Sequence, residues 1–118
     1  MKPRPVSLVS PGVDLVEFGK AREFYRRHRT HLDSFFTASE IRFIRRHRPA
    51  YKALARLLAA KEAAFKTTGA AWMGPEGFRE FRVTPGAKRF SVTGKGVDRL
   101  PVSFLEKKNA VVACVQPS

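Results

Sequence analysis

A chain of 118 residues with 43% hydrophobic content is long enough to bury one core and too short for two, which predicts a single domain over residues 1–118. Its 23 Lys and Arg against 10 Asp and Glu leave a formal charge of +13, much of it between Arg22 and Arg29 and between Arg42 and Arg56. Such a surface attracts polyanions: nucleic acid, anionic lipid, a phosphorylated small molecule or an acidic protein. Cys114 is the only cysteine, which excludes an internal disulfide, and no apolar run approaches the roughly 18 residues of a membrane span. "MKPRPVSLVS" holds no hydrophobic stretch of signal-peptide length, so a cytoplasmic setting without membrane attachment is expected.

In chain order, Gly12 to Phe18 reads as a strand, apolar on both faces except at Asp14. Lys20 to about Arg29 follows as a short basic helix with Ala21, Phe24 and Tyr25 inside. Thr37 and Glu40 form a capping box at the start of a second helix, with Phe36 and Ile41 placed as a hydrophobic staple. Pro49 ends that helix or opens the next. The longest helix runs from about Ala50 to Thr68, and Gly69 is suited to cap it. Beyond Trp72, "FREFRVT", "KRFSV", "LPVSFL" and "AVVACV" read as strands separated by Pro85-Gly86, Gly94-Lys95-Gly96 and "EKKN". They predict an antiparallel meander, and the whole is an α+β fold with a long central helix packed on an antiparallel sheet.

Within the long helix, "LARLLAAKEAAFKTTG" places Lys61 inside the stripe formed by Leu54, Leu58 and Phe65, at about 100° per residue, and Glu62 on its border. Ala59, Ala60 and Ala63 occupy much of the other face, so the helix is expected to be buried nearly all round and its charges to need partners. Glu62 and Lys66 at i and i+4 offer one ordinary answer, a surface ion pair, and Lys61 can snorkel to water. Asp14 offers another. If strand and helix pack together, Asp14 and Glu62 converge and a cation must join them; magnesium, commonly held by one or two carboxylates with phosphate oxygens and water, suits. Lys61 and Lys66 then become anion clamps of a phosphoryl-transfer or pyrophosphate site.

Other motifs carry less. "TGKG" lacks phosphate-loop spacing and reads as a hairpin turn; His28, His31 and His47 show no metal-ligand spacing; Cys114, in an apolar strand, reads as structural.

"GVDLVEFGKAREF", "FFTASEI" and "ARLLAAKEAAFKTTG" resemble, in order and spacing, the holo-acyl-carrier-protein synthase family of 4'-phosphopantetheinyl transferases, and "VSFLEKKNAVVACV" is similar to that family's closing hairpin. The resemblance implies magnesium-dependent transfer of the phosphopantetheine arm of coenzyme A to a serine of an acyl carrier protein, with release of adenosine 3',5'-bisphosphate. It implies that Asp14 and Glu62 bind Mg2+, that Lys61 and Lys66 hold coenzyme A phosphates, that Gly69 lies near the nucleotide, and that Lys20 grips the carrier. Asp14, Glu62 and Lys66 are then the catalytic set. Because acyl carrier proteins are acidic, Arg22, Arg26, Arg27 and Arg45 join Lys20 as candidate docking residues. Small members of the family associate as homotrimers with active sites between subunits, and the same is expected here. Leu57 and Leu58 stand where the family has an arginine and an aromatic residue, Gly69-Ala70-Ala71 replaces Gly-Thr-Gly, and Ser103 to Glu106 replaces Ser-x-Ser-His. Two other readings stay open: a carrier-binding scaffold without catalysis, and a basic nucleic-acid-binding module using Phe24, Tyr25, Phe43 and Tyr51.

Overall fold

A computed structural model describes residues 11–68, 75–86, 89–94 and 97–116. The chain opens with β1 (Gly12–Glu17) and turns directly into α1 (Phe18–His28), followed by a 3-10 turn at Leu32–Ser34, α2 (Ala38–Arg46) and α3 (Ala50–Thr67). Then come α4 (Pro75–Glu80), β2 (Arg82–Pro85), β3 (Phe90–Gly94), β4 (Val97–Glu106) and β5 (Ala110–Val115). No helix among the described residues is long and apolar enough to cross a membrane.

The strands form one antiparallel sheet in the order β1-β5-β4-β3-β2. β2 to β5 are the expected meander, and β1 adds itself to the far edge by pairing with β5, Asp14 opposite Ala113. α3 lies across the inner face of the sheet, burying Leu54, Leu57, Leu58 and a run of alanines against Val83, Val92, Val102, Val111 and Val115. The small side chains allow the close approach: an alanine helix offers a smooth surface that a sheet can meet at short range, at the cost of little rotamer entropy. α1 and α2 pack on the other sides of α3 through Phe18, Ala21, Phe43 and Ile44.

The Thr37–Glu40 capping box is present in full, the Thr37 amide donating to Glu40 Oε1 at 2.8 Å and the Glu40 amide to Thr37 Oγ1 at 3.3 Å. One element departs from the pattern. "FREFRVT" does not form one strand: Phe78 to Glu80 belong to α4, and the strand begins only at Arg82. Phe78 and Phe81 stand three apart, a helical spacing, and only Phe81 and Val83 keep the two-residue period of a strand; tertiary contacts hold the helical part, with the Phe78 carbonyl bound by Lys61 and its ring set edge-on to Phe35 at 6.2 Å. Gly69 and the Lys95-Gly96 part of the predicted turn lie outside the described residues.

Candidate active site

The site begins with a glycine. In β1, Gly12, Asp14 and Val16 point toward α3 while Val13, Leu15 and Glu17 point away. A Cβ on Gly12 would lie 1.8 Å from the Ala63 carbonyl oxygen, so strand and helix touch backbone to backbone there. Two residues along, this contact sets Asp14 against the turn of α3 that carries Glu62 and Lys66. The Lys66 ammonium donates to Asp14 Oδ1 at 2.8 Å and to the Val13 carbonyl at 3.2 Å. The Asp14 side chain is 13% exposed and that of Lys66 55% exposed, so the pair sits at the edge of solvent. Lys66 thus pairs across to the strand, and no ion pair between Glu62 and Lys66 is formed.

Glu62 is half-buried beside Asp14. Burial, then the hydrogen bond that its protonated form makes to Asp14, then the repulsion of the Asp14 charge push its carboxyl up to about 7, against the opposing pull of Lys66. Asp14 Oδ2 is buried and has no hydrogen-bond donor. Two carboxylates held together at this energetic cost, one with an unsatisfied buried oxygen, form an all-oxygen donor set that fits a hard divalent cation such as Mg2+. Among the described residues no third His, Cys, Asp or Glu joins them, so water and substrate oxygens would complete the shell.

Lys61, expected to hold a substrate phosphate, is fully buried at 0% exposure, its ammonium donating to Glu40 Oε1 at 2.9 Å and to the carbonyls of Phe35 and Phe78. Desolvation lowers its pKa, while the Glu40 charge and hydrogen bond oppose that shift. Glu40, 1% exposed, is the partner that the sequence concealed behind its capping role. A buried lysine in an alanine-rich helix does signal a buried acid somewhere; only the fold reveals which.

Next to Glu62 opens a cavity of about 460 Å3 between β1, α1, α3 and α4, lined by Leu15, Lys20, Phe24, Leu58, Glu62 and Phe78 among others. Lys20 therefore belongs to the same cavity as Glu62. Arg22, Arg26 and Arg27 are exposed along α1, Arg26 bound to Glu23 at 3.0 Å and Arg22 stacked over the Tyr51 ring at 5.1 Å. Arg45 is exposed on α2, a separate helix, its carbonyl accepting from Arg48. Leu57 is buried in the core, and Glu106 is held by Arg56 at 3.1 Å and Lys52 at 3.5 Å, the Arg56 hydrogen bond being the main cause that keeps its carboxyl below the usual range.

Asp14, Glu62 and Lys66 thus lie together on a strongly basic α+β domain, with Glu62 also lining the groove. The family model of the 4'-phosphopantetheinyl transferase superfamily matches residues 10–115, and the chain belongs to that superfamily. The holo-acyl-carrier-protein synthase of Clostridium kluyveri is 31% identical over 90 residues, 75% of this chain and 66% of its own length. Among solved structures, the holo-acyl-carrier-protein synthase of Neisseria meningitidis matches with a TM-score of 0.77 at 20% identity, over 92% of this chain and 97% of that one. The Helicobacter pylori enzyme, determined in complex with coenzyme A, matches with a TM-score of 0.75 at 21% identity, over 92% and 99%. All three relatives are transferases of the family that the motifs resemble.

Proposed function

We propose that the protein transfers the 4'-phosphopantetheine arm of coenzyme A to a serine of an acidic acyl carrier protein, releasing adenosine 3',5'-bisphosphate. The observation that carries the reading is the juxtaposition of Asp14, Glu62 and Lys66, of which Glu62 lines the groove. Lys66 pairs with only one of the two carboxylates, and Glu62 is held in an unfavourable place that a substrate-side cation would relieve. Asp14 and Glu62 would hold Mg2+, which when bound supplies positive charge to the pyrophosphate. The serine oxygen forms a bond to the phosphorus bearing the pantetheine arm as the pyrophosphate bond to the nucleotide breaks, and the nucleotide leaves with the electron pair.

The chain's own residues bind and orient. Lys66, already beside Asp14 and more than half exposed, is placed to meet a phosphate oxygen, where its charge is worth most as the leaving group becomes more negative. Leu15, Leu58 and Phe78 give the groove an apolar wall suited to the uncharged part of the arm. The serine proton needs an acceptor; Glu106, neutralised by Arg56 and Lys52, is a poor one, which leaves Glu62 or water. Lys20, Arg22, Arg26 and Arg27 present a basic ridge beside the groove to an acidic carrier, with Arg45 on α2 a more distant contact.

A homotrimer belongs to the same proposal. Val13 and Leu15 on the outer face of the edge strand are 50% and 51% exposed, and Leu105 on β4 is 60% exposed. Incubation with coenzyme A, magnesium and an acidic acyl carrier protein, followed by mass measurement of the carrier, tests the reading. A gain of one phosphopantetheine is expected; an unchanged carrier, with steep salt-dependent binding to nucleic acid instead, overturns it.

A further inference from the structure

Lys61 precedes Glu62 in α3, yet no part of its ammonium reaches solvent. An ammonium has three hydrogens to donate, and three acceptors are in place: Glu40 Oε1, the Phe35 carbonyl and the Phe78 carbonyl. Nothing is left over for a phosphate. Glu40 is equally committed, since Oε1 also accepts from the Thr37 amide and Oε2 accepts from the Val83 amide at 2.7 Å. One ion pair thus ties together the segment before α2, the α2 N-terminus, α3, α4 and the start of β2.

Stability alone does not explain it. A buried ion pair can commonly be exchanged for apolar side chains of similar volume without loss. What an apolar pair cannot do is fix the carbonyls of two separate segments. α4 has six residues, too few to hold its shape without tertiary support, and Phe78 lies in its last turn, where helix carbonyls lack intrahelical partners. Lys61 supplies that partner and places positive charge at the helix's negative end. The ring of the same Phe78 lines the Glu62 groove together with Leu58 and Lys20, and it packs against Phe35, the other residue whose carbonyl Lys61 holds.

We propose that Lys61, paired with Glu40, is a positioning residue: it pins the Phe78 wall of the groove opposite Glu62 through main-chain hydrogen bonds, and binds no substrate phosphate itself. The inference rests on the transferase reading for its catalytic consequence but not for its structural one.

The test compares the full chain with Lys61→Met, Glu40→Gln and the double variant. Lys61→Met alone strands the Glu40 carboxylate and lowers the melting temperature; the double variant, lacking both charges, recovers most of it. Glu40→Gln leaves Lys61 able to donate to Phe35 and Phe78, so kcat stays within about threefold of wild type even if the protein melts earlier. The double variant loses the Phe78 bond, and its kcat falls by about ten- to a hundredfold, the scale of a small misplacement at a reacting centre. Calorimetric magnesium affinity changes less than about twofold, because Asp14 and Glu62 are untouched. Adding Phe78→Ala to the double variant costs little more than either change alone, the signature of two residues acting as one. Activity that follows melting temperature across the series, or a loss confined to the KM for coenzyme A, overturns the proposal. If wild type transfers nothing, the transferase reading falls, and amide exchange decides the inference by itself: residues 75–80 exchange at least about tenfold faster in the double variant, and equal rates overturn it.

Discussion

Glu62 on α3 is half-buried beside Asp14 on β1, and burial first, then the hydrogen bond of its protonated form to Asp14 and the Asp14 charge, push its carboxyl up to about 7. Between its ordinary value of 4.5 and about 7 the folded protein therefore binds a proton that the unfolded chain has already released. The sign follows: stability without metal falls as pH rises through that window and levels off above it. Glu62→Gln abolishes this fall, which after allowance for solvent screening is of the order of 1 kcal/mol. Thermal melts of both proteins from pH 4.5 to 8, in chelator, measure it. With magnesium and coenzyme A the same substitution lowers turnover by about a hundredfold or more, equivalent to roughly 3 kcal/mol. A less stable Glu62→Gln apoprotein that keeps its metal-dependent activity would return Glu62 to a structural ion pair.

Lys66 opposes the upward shift of Glu62 and neutralises Asp14. Lys66→Met is expected to move the Glu62 titration to higher pH, and with it the midpoint of magnesium binding, since the metal must displace the proton. Magnesium titrations by calorimetry at several pH values read the shift. A midpoint that does not move, or moves to lower pH, contradicts the electrostatic role assigned to Lys66.

Gly12→Ala tests the contact on which this geometry depends. The added methyl would meet the Ala63 carbonyl, and neither backbone can yield without separating β1 from α3. A loss of about 1–3 kcal/mol is expected in denaturant unfolding, as for other overpacked sites. Asp14→Asn, which leaves the contact intact, should not show it.

Much of this was legible from residue order. The period of β1 and its lone acid, the capping box before α2 and the alanine-rich α3 all follow from local rules, and they brought Asp14, Glu62 and Lys66 to notice as a group. What local rules missed was set by distant contacts. Glu40 satisfies its capping box and simultaneously neutralises Lys61, a double use that no spacing reveals because the two residues are far apart in the chain. Phe78 to Glu80 form a helix, which the three-residue spacing of Phe78 and Phe81 allows, with Lys61 and Phe35 holding Phe78 from outside. For Lys61 the place in the buried stripe was readable and the partner, Glu40, was not.

Lys20 shares a cavity with Glu62, and Arg26 continues the basic face of α1. Reversing both charges, Lys20→Glu with Arg26→Glu, is expected to raise the KM for the carrier by about tenfold or more while changing that for coenzyme A less than about twofold. Added salt should reproduce the effect in wild type, since exposed charges are screened. Equal weakening of both substrates would assign Lys20 to the coenzyme.

The outer face of the sheet gives the last prediction. Leu15 pairs with Val112, and Val112 pairs in turn with Leu105, so one apolar row crosses β1, β5 and β4 with Leu15 and Leu105 each more than half exposed. Val13 and Cys114 extend it by the next outward row. β1 also ends the sheet among the described residues, which leave its outer edge unpaired. Nothing among the described residues covers such a row, and the +13 charge that keeps the rest of the surface apart makes an uncharged strip the natural place for copies to meet. Head-to-tail association, in which this row meets a different patch of the next copy, closes into a small symmetric ring, and a trimer is the size proposed. Val13→Asp with Leu105→Asp places charge on that face and leaves the groove-lining Leu15 in place. Light scattering should then report a monomer that still folds, with transfer activity reduced if neighbouring copies complete the groove. A wild-type protein that is monomeric and fully active at low concentration, or a double variant that remains a trimer, rules this face out as the interface.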